Sequence, residues 1–360
     1  MTASIAGVNP RVSVVIPHFN RSDLLEMTVA SVLASTEQSF EIIIVDDGSD
    51  PQHSGRAAGL TGAKVRFLSR RGEPKGPSRC RNQGVAASTA EFIVFLDSDD
   101  VMAAWCLEQR LSAAESNRDA DMWVFPVMLF DQRPGDRSVL WNRMDNGVPA
   151  AVRFIGSDPP WHTSSPLWRR AAFLEVGGFN ENMFYGDDSD LHMRALVEGR
   201  RARLFQDVIP DVFVRRSSAE RVTNSPSQRS VSNRPGRLRE GTRYLRSRPE
   251  LAPFLRAWEG RYFAEAEYYL FNEVSPRSAV MDVLAQWAED FRPLTAPSWA
   301  TRAYFEIALR SKKRVYLALR LARRIAMKVL PPEYFRLAPD LETFEARPET
   351  VAEIRRRLQD

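Results

Sequence analysis

Three clusters of aspartate stand out, because carboxylates placed side by side repel one another unless something resolves the conflict. The first, Asp97-Ser98-Asp99-Asp100, follows the apolar run Phe92 to Leu96. Three acids at the edge of a core would be costly without a counter-charge. A divalent cation supplies one: Mg²⁺ and Mn²⁺ favour carboxylate oxygens and accept phosphate oxygens as further ligands. A solvated acidic turn is the plainer alternative. The second cluster is Asp46-Asp47-Gly48-Ser49. Its carboxylates could accept hydrogen bonds from a base or a ribose, or close an Asx turn that Gly48 permits. The third is Gly186-Asp187-Asp188-Ser189-Asp190-Leu191, opening an apolar-periodic stretch. Acids are favoured at a helix N-terminus. Asp190 and Arg194 are spaced for an i, i+4 pair, so Asp190 is assigned to structure, leaving Asp187 or Asp188 for chemistry.

Two remote acidic clusters suit group transfer from a nucleoside diphosphate. The leaving diphosphate gains negative charge, which a metal held by acids stabilises. A separate carboxylate on the opposite side must take the proton of the attacking hydroxyl. Attack from that side inverts the reacting carbon.

The elements that must position these groups alternate between strand and helix. Val12 to Ile16, Phe40 to Val45, Val65 to Leu68 and Phe92 to Leu96 read as strands buried on both faces. Asp23 to Ser35 and Ser78 to Ala87 read as the helices between them. This predicts an α/β fold with a mostly parallel sheet flanked by helices, and ligands bind beyond the carboxyl ends of such strands. Asn20 and the first two acid clusters lie there. Further helices are expected near Trp105 to Asn117, Arg169 to Val176 and Asp188 to Glu198, and strands near Met122 to Phe130 and Val212 to Arg215. Ser217 to Arg239 reads as a linker, and Tyr244 to Asp360 as wholly helical. The expected domains are a catalytic domain over 1–235 and a helical C-terminal region over 236–360.

The 360 residues are 44% hydrophobic and 27% charged, with a net charge of +4. A sizeable core is expected and nothing points to nucleic acid. Four histidines and two cysteines, Cys80 and Cys106, exclude a histidine-rich or cysteine-rich metal centre; both thiols read as core fillers. The N-terminus shows no secretory pattern, and no apolar run approaches the roughly 20 residues that span a bilayer. A cytoplasmic location is expected. The stretch 311–330 carries basic residues and no acid. It reads as a helix packed with its basic face in water, or as a peripheral contact with the inner face of an anionic membrane.

The motifs Val14-Val15-Ile16-Pro17-His18-Phe19-Asn20, Ile44 to Ser49, Arg81-Asn82-Gln83-Gly84, Phe95 to Asp100, Gly177-Gly178-Phe179 and Gly186 to Leu191 occur in one order. Together they make residues 11–223 resemble a family 2 glycosyltransferase of the GT-A fold. The resemblance implies an inverting enzyme that moves a sugar from a nucleotide-diphosphate donor, a UDP-sugar, to a hydroxyl of a carbohydrate or lipid-linked acceptor, in polysaccharide or glycoconjugate synthesis. It places Pro17, Phe19, Asn20, Asp46, Asp47, Arg81, Asn82 and Asp97 at the nucleotide, and Asp97 and Asp99 at a Mn²⁺ or Mg²⁺ ion, with Asp99 the direct ligand. Asp188 is then the catalytic base and Asp187, in place of the usual Glu, an acceptor contact. Two positions depart from the family pattern. No histidine occurs in Val214 to Ser218, where Arg215 or Arg216 could meet the diphosphate instead, and Ser189 replaces an aromatic residue.

Trp161 is assigned to the acceptor by stacking on a sugar ring, Trp168 to the core. His162 is either a second general base or an ordinary hydrogen-bonded histidine. A nucleotidyltransferase would show a Gly-rich basic loop after the first strand, a dehydrogenase Gly-X-Gly-X-X-Gly; this chain has Pro17-His18-Phe19-Asn20 there. A binding protein without turnover is the remaining rival.

Overall fold

The computed structural model describes residues 9–156, 158–183, 186–216, 228–271, 277–291, 299–310, 323–328 and 344–359. By its contacts the chain falls into two units. One takes Met1–Ala150, Pro160–Ala219 and Pro339–Asp360; the other takes Ala151–Pro159 and Glu220–Ala338.

The first unit is built on strands β1 (Val12–His18), β2 (Phe40–Asp46), β3 (Val65–Ser69) and β4 (Phe92–Phe95), with α1 (Ser22–Leu33), α2 (Pro51–Gly59) and α3 (Pro77–Ala87) between them. β5 (Val101–Met102), α4 (Cys106–Ser116), β6 (Met122–Val124) and β7 (Val127–Phe130) follow; after the short helix α5 (Ala150–Ile155), which apart from Ala150 belongs to the second unit, come β8 (Pro166–Arg169), α6 (Arg170–Glu175), α7 (Asp187–Val197), β9 (Ala202–Leu204) and β10 (Val212–Arg215). Seven strands form one sheet in the order β3-β2-β1-β4-β8-β6-β9, and β5-β10-β7 form a second. The main sheet is mostly parallel, as expected, with β8 antiparallel to both of its neighbours.

Alternation explains why these runs are apolar throughout. Ile42 and Ile44 enter the cluster on one face of the sheet, while Ile43 and Val45 enter the cluster on the other, with Cys80. Pro17, expected to end β1, lies inside it. A proline is tolerated there because β4 pairs only with Val12 to Val15, so no ladder bond is lost on that side. The strand order reverses between β1 and β4: β2 and β3 build outward on one side and β4 on the other. The crevice at such a reversal is where an open α/β sheet binds its ligand. α3 reaches it by close packing, since a Cβ on Gly84 would sit 2.3 Å from Val15 Cγ1.

Several expectations need correction. The single strand expected over Met122 to Phe130 is two, broken at Pro126; β6 joins the main sheet and β7 the smaller one. The linker expected over Ser217 to Arg239 is helical from Gln228, and residues 217–227 lie outside the described ones. The C-terminal region is not wholly helical. Residues 344–347 are extended, with a bridge between Glu345 and Val139, before the last helix, Pro348–Arg357. That helix sends Val351 and Ile354 into a core with Phe130 and Phe213.

The second unit holds α8 (Gln228–Arg246), α9 (Ala252–Phe271), α10 (Arg277–Asp290) and α11 (Trp299–Arg310). Its core is aromatic: Trp258, Tyr262, Phe263, Trp287, Phe291, Tyr304 and Phe305 are all buried. No helix among the described residues is long and apolar enough to cross a membrane. Of the stretch 311–330, only 323–328 is described, as helix.

Candidate active site

The aspartates after β4 form a tight turn. The Asp100 amide donates to the Asp97 carbonyl at 3.1 Å, the i to i+3 closure of a β-turn. One oxygen each of Asp97 and Asp100 and one ring nitrogen of His162 lie within 4.8 Å of one another. Asp99, expected to be the direct metal ligand, is instead paired with Arg21, Nη1 to Oδ2 at 3.1 Å. Asp100 lies in the same motif, whose resemblance points to Asp97 and Asp99. The turn closure is the signal that pairs the first and fourth residues rather than the first and third.

Arg81 joins this turn to the third acidic cluster. From α3 its Nη2 donates to Asp97 Oδ1 at 2.7 Å and its Nη1 to Asp187 Oδ2 at 3.0 Å. The guanidinium is 5% exposed, and the two acids hold its pKa above the ordinary arginine value despite burial. Ser78 Oγ adds a second bond to Asp187 Oδ2 at 2.7 Å. Asp187, first residue of α7, is therefore turned inward and doubly bonded. Asp188 is half-buried, and its own Oδ1 accepts the Ser189 amide at 2.7 Å. Burial, then the negative charge of Asp187, push its carboxyl up to about 6, against the opposing pull of the Ser189 amide and Arg81; Asp97 adds a smaller upward push. A carboxyl poised there is suited to accept a proton near neutral pH.

The loop that presents α7 is built for this orientation. Gly178 has φ of +66°, and a Cβ on it would meet Asn82 Oδ1 at 2.7 Å. Asn82 bonds both ways with Phe179, Nδ2 to the carbonyl and Oδ1 from the amide, each at 2.9 Å. Arg194 donates to Asp190 at 2.8 Å, and to the carbonyls of Val176 and Gly178. The structural reading of Asp190 is thus what the geometry displays. His192, in the first turns of α7, stacks on Trp168 with centroids 5.8 Å apart and meets Trp161 edge-on at 5.6 Å. Burial lowers its pKa to about 3, so the ring is neutral. Trp161, expected at the acceptor, is 1% exposed and belongs to this ring cluster.

Beyond β1 and β2 the remaining candidates gather. Phe19 is 44% exposed, with Lys75 Nζ 4.3 Å above its ring. Lys75 also donates to the Gly48 carbonyl at 3.0 Å. Asp47 is bonded by Arg70 and, at 2.7 Å, by the Gly76 amide, which fixes the loop before α3. Asn20 has the one positive φ, 52°, among described non-glycine residues; its side chain exchanges bonds with Asp50, and its amide donates to Ser49. Asp46 is buried, which by itself would raise its pKa, but its bonds with His18 and Ser49 outweigh that and its pKa is lowered; Ser54 Oγ also donates to it at 3.1 Å. Asn20 and Asp46 thus tie together the loops that follow β1 and β2. Arg215 is spent on the acid turn: its amide donates to Asp100 Oδ1 at 2.9 Å and its Nε to the Asp99 carbonyl at 3.1 Å.

Sequence reasoning missed Arg21, Arg70, Lys75 and Ser78. Each is a common polar residue in a loop or helix start, and only folding gives it a partner. Both thiols are buried fillers, and burial raises the Cys80 pKa to about 12.

Residues 13–172 match the family model described as glycosyl transferase family 2. Succinoglycan biosynthesis protein ExoU of Rhizobium meliloti (strain 1021) is 28% identical over 323 residues, covering 80% of this chain and 91% of its own. The Escherichia coli UDP-Glc:alpha-D-GlcNAc-diphosphoundecaprenol beta-1,3-glucosyltransferase WfgD is 28% identical over 112 residues, 31% of this chain and 44% of that protein. Among solved structures, S. aureus TarS 1-349 superposes with a TM-score of 0.59 at 16% identity, covering 83% of this chain and 86% of that one, a likeness of fold.

Proposed function

We propose that this chain, whose residues 13–172 match the family model described as glycosyl transferase family 2, is an inverting, cation-dependent enzyme that transfers a sugar from a UDP-sugar to an acceptor hydroxyl. One observation carries the reading: Arg81 bonds Asp97 and Asp187 at once, so the acids after β4 and those opening α7 share one rim. That rim lies at the reversal of strand order, where a nucleotide fits.

The nucleotide base is assigned to Pro17, Phe19 and Asp47, where Phe19 is exposed for stacking, Lys75 lies over its ring and Arg70 bonds Asp47. Asp97 and Asp100 would hold a Mn²⁺ or Mg²⁺ ion, their oxygen donors fitting either. Bound there, such an ion neutralises charge on a leaving diphosphate. Asp188 takes the proton of the attacking hydroxyl. Asp187 and Arg81 position it: Asp187 raises its proton affinity and Arg81 limits the rise. A base beyond the sugar from the diphosphate demands attack from the far face, hence inversion.

The likeness to ExoU, a succinoglycan biosynthesis protein, and to WfgD, which acts on a diphosphoundecaprenol-linked sugar, supports a polysaccharide or lipid-linked acceptor. A lipid-linked acceptor would bring the reaction to a membrane surface. Seven lysines and arginines without an acid in 311–330 support a peripheral contact there.

The test is thermal unfolding with a panel of nucleotide sugars, with and without Mn²⁺ or Mg²⁺. A ligand at a hundred times its Kd stabilises by about 2.7 kcal/mol. UDP-sugars should raise the transition in a cation-dependent way. No shift with any nucleotide sugar would remove the proposal.

A further inference from the structure

We propose that His162 supplies a nitrogen ligand to the cation beside Asp97 and Asp100, and that this nitrogen makes the site prefer Mn²⁺ to Mg²⁺. The inference rests on the cation reading above and deepens it. His162 comes from the segment before β8, more than sixty residues along the chain from the acid turn, yet its ring reaches within 4.8 Å of both carboxylates. The acid turn is held from behind, by Arg215 on Asp100 and Arg81 on Asp97, so both carboxylates are pre-set. The histidine is pre-set as well. Its amide donates to Ser165 Oγ at 3.2 Å, the Ser164 amide donates to its Nδ1 at 3.2 Å, and its ring packs 5.4 Å from Trp141.

Two donors of one kind and one of another, brought from distant elements to a single point, form a mixed oxygen and nitrogen set. Mg²⁺ is hard and dehydrates reluctantly, favouring oxygen ligands in strict octahedral geometry. An imidazole nitrogen penalises it more than a first-row transition ion. A neutral imidazole has one nitrogen to offer. In the structure Nδ1 accepts the Ser164 amide, so a cation on either nitrogen takes that acceptor away. Loading Nδ1 displaces the amide, and loading Nε2 moves the ring proton to Nδ1. The Ser164 contact, long for an amide hydrogen bond, is the one that gives.

Electron paramagnetic resonance of Mn²⁺ added to the full chain with UDP tests this directly. The bound ion should show spin-echo modulation from a coordinated imidazole nitrogen. His162→Gln should abolish that modulation and weaken Mn²⁺ binding about tenfold or more. His162→Asp, which restores an oxygen, should narrow the Mn²⁺ over Mg²⁺ preference in competition titrations. Thermal unfolding of each variant without metal controls for folding. Bound Mn²⁺ lacking nitrogen modulation in the unaltered protein would overturn this inference and leave the cation reading standing. No bound Mn²⁺ at all, with UDP itself still bound, would overturn both.

Discussion

Asp188→Asn should make the protein more stable at pH 8 while removing transfer. Burial and the charge of Asp187 raise the Asp188 pKa from 3.8 to about 6. Between those values the folded chain holds a proton that the unfolded chain has released. The contribution is therefore fully present below pH 3.8 and is lost as pH rises through about 6. A difference of about 2 pH units at 1.36 kcal/mol each is roughly 3 kcal/mol of strain in the ionised form. Because Asp188 is only half-buried, that is an upper bound, and about 1–3 kcal/mol is expected. Asparagine is neutral at every pH, so the substitution relieves the strain at pH 8 and relieves nothing at pH 4. Denaturant unfolding of both proteins at a series of pH values measures this. Asp188→Asn should lead at pH 8, with the lead shrinking to nothing by pH 4. A variant less stable than its parent at pH 8, or a lead independent of pH, would refute the reasoning. Stability gained by discharging one acid is the expected mark of a group kept for chemistry.

Other outcomes follow from the same geometry. The pH profile of kcat/KM should fall tenfold per unit below about pH 6, where Asp188 becomes protonated; an acid limb near pH 4 would exclude Asp188 as the base. Arg81→Met leaves Asp97 and Asp187 without their shared counter-charge and should cost about 3–5 kcal/mol, read by denaturant unfolding. Gly84→Ala drives a methyl into Val15 on β1 and should cost about 1–3 kcal/mol; an unchanged transition would show that α3 moves away freely. Chelation should abolish transfer and Mn²⁺ should restore it; turnover unchanged in excess chelator would exclude a cation at Asp97 and Asp100.

Much of the fold was legible because its signal is local. The strands Val12–His18 and Phe40–Asp46 are mostly β-branched and apolar and are buried along nearly their whole length, the pattern of a doubly buried strand. Val65–Ser69, expected to be buried likewise, is instead the edge strand of the sheet, and of its five residues only Val65 is buried. β8 and β9 gave no such signal. They are short, and β8 begins with Pro166 and is defined by its antiparallel neighbours. The return of residues 344–359 to the core of the first unit was also hidden, since it depends on contacts with residues 130 and 213.

The site was legible as a set of motifs but not as a set of contacts. The sequence located Asp97, Asp187 and Asp188, yet it could not show that Arg81 bridges two of them. Asp99 and Asp100 are equivalent letters in the motif. The turn decides that Asp100 rather than Asp99 stands beside Asp97 and His162, while Asp99 meets Arg21. Aromatic character alone assigned Trp161 to a sugar. Its burial against His192 follows from how α7 packs, which no local spacing encodes.

A single paired measurement tests the division of labour most directly: calorimetric titration of UDP with Mn²⁺, alongside UDP-sugar turnover, for Asp188→Asn and Asp97→Asn. Asp188→Asn should bind the nucleotide as the parent does and transfer nothing, whereas Asp97→Asn should lose cation-dependent binding. Near-normal turnover by Asp188→Asn would contradict the account.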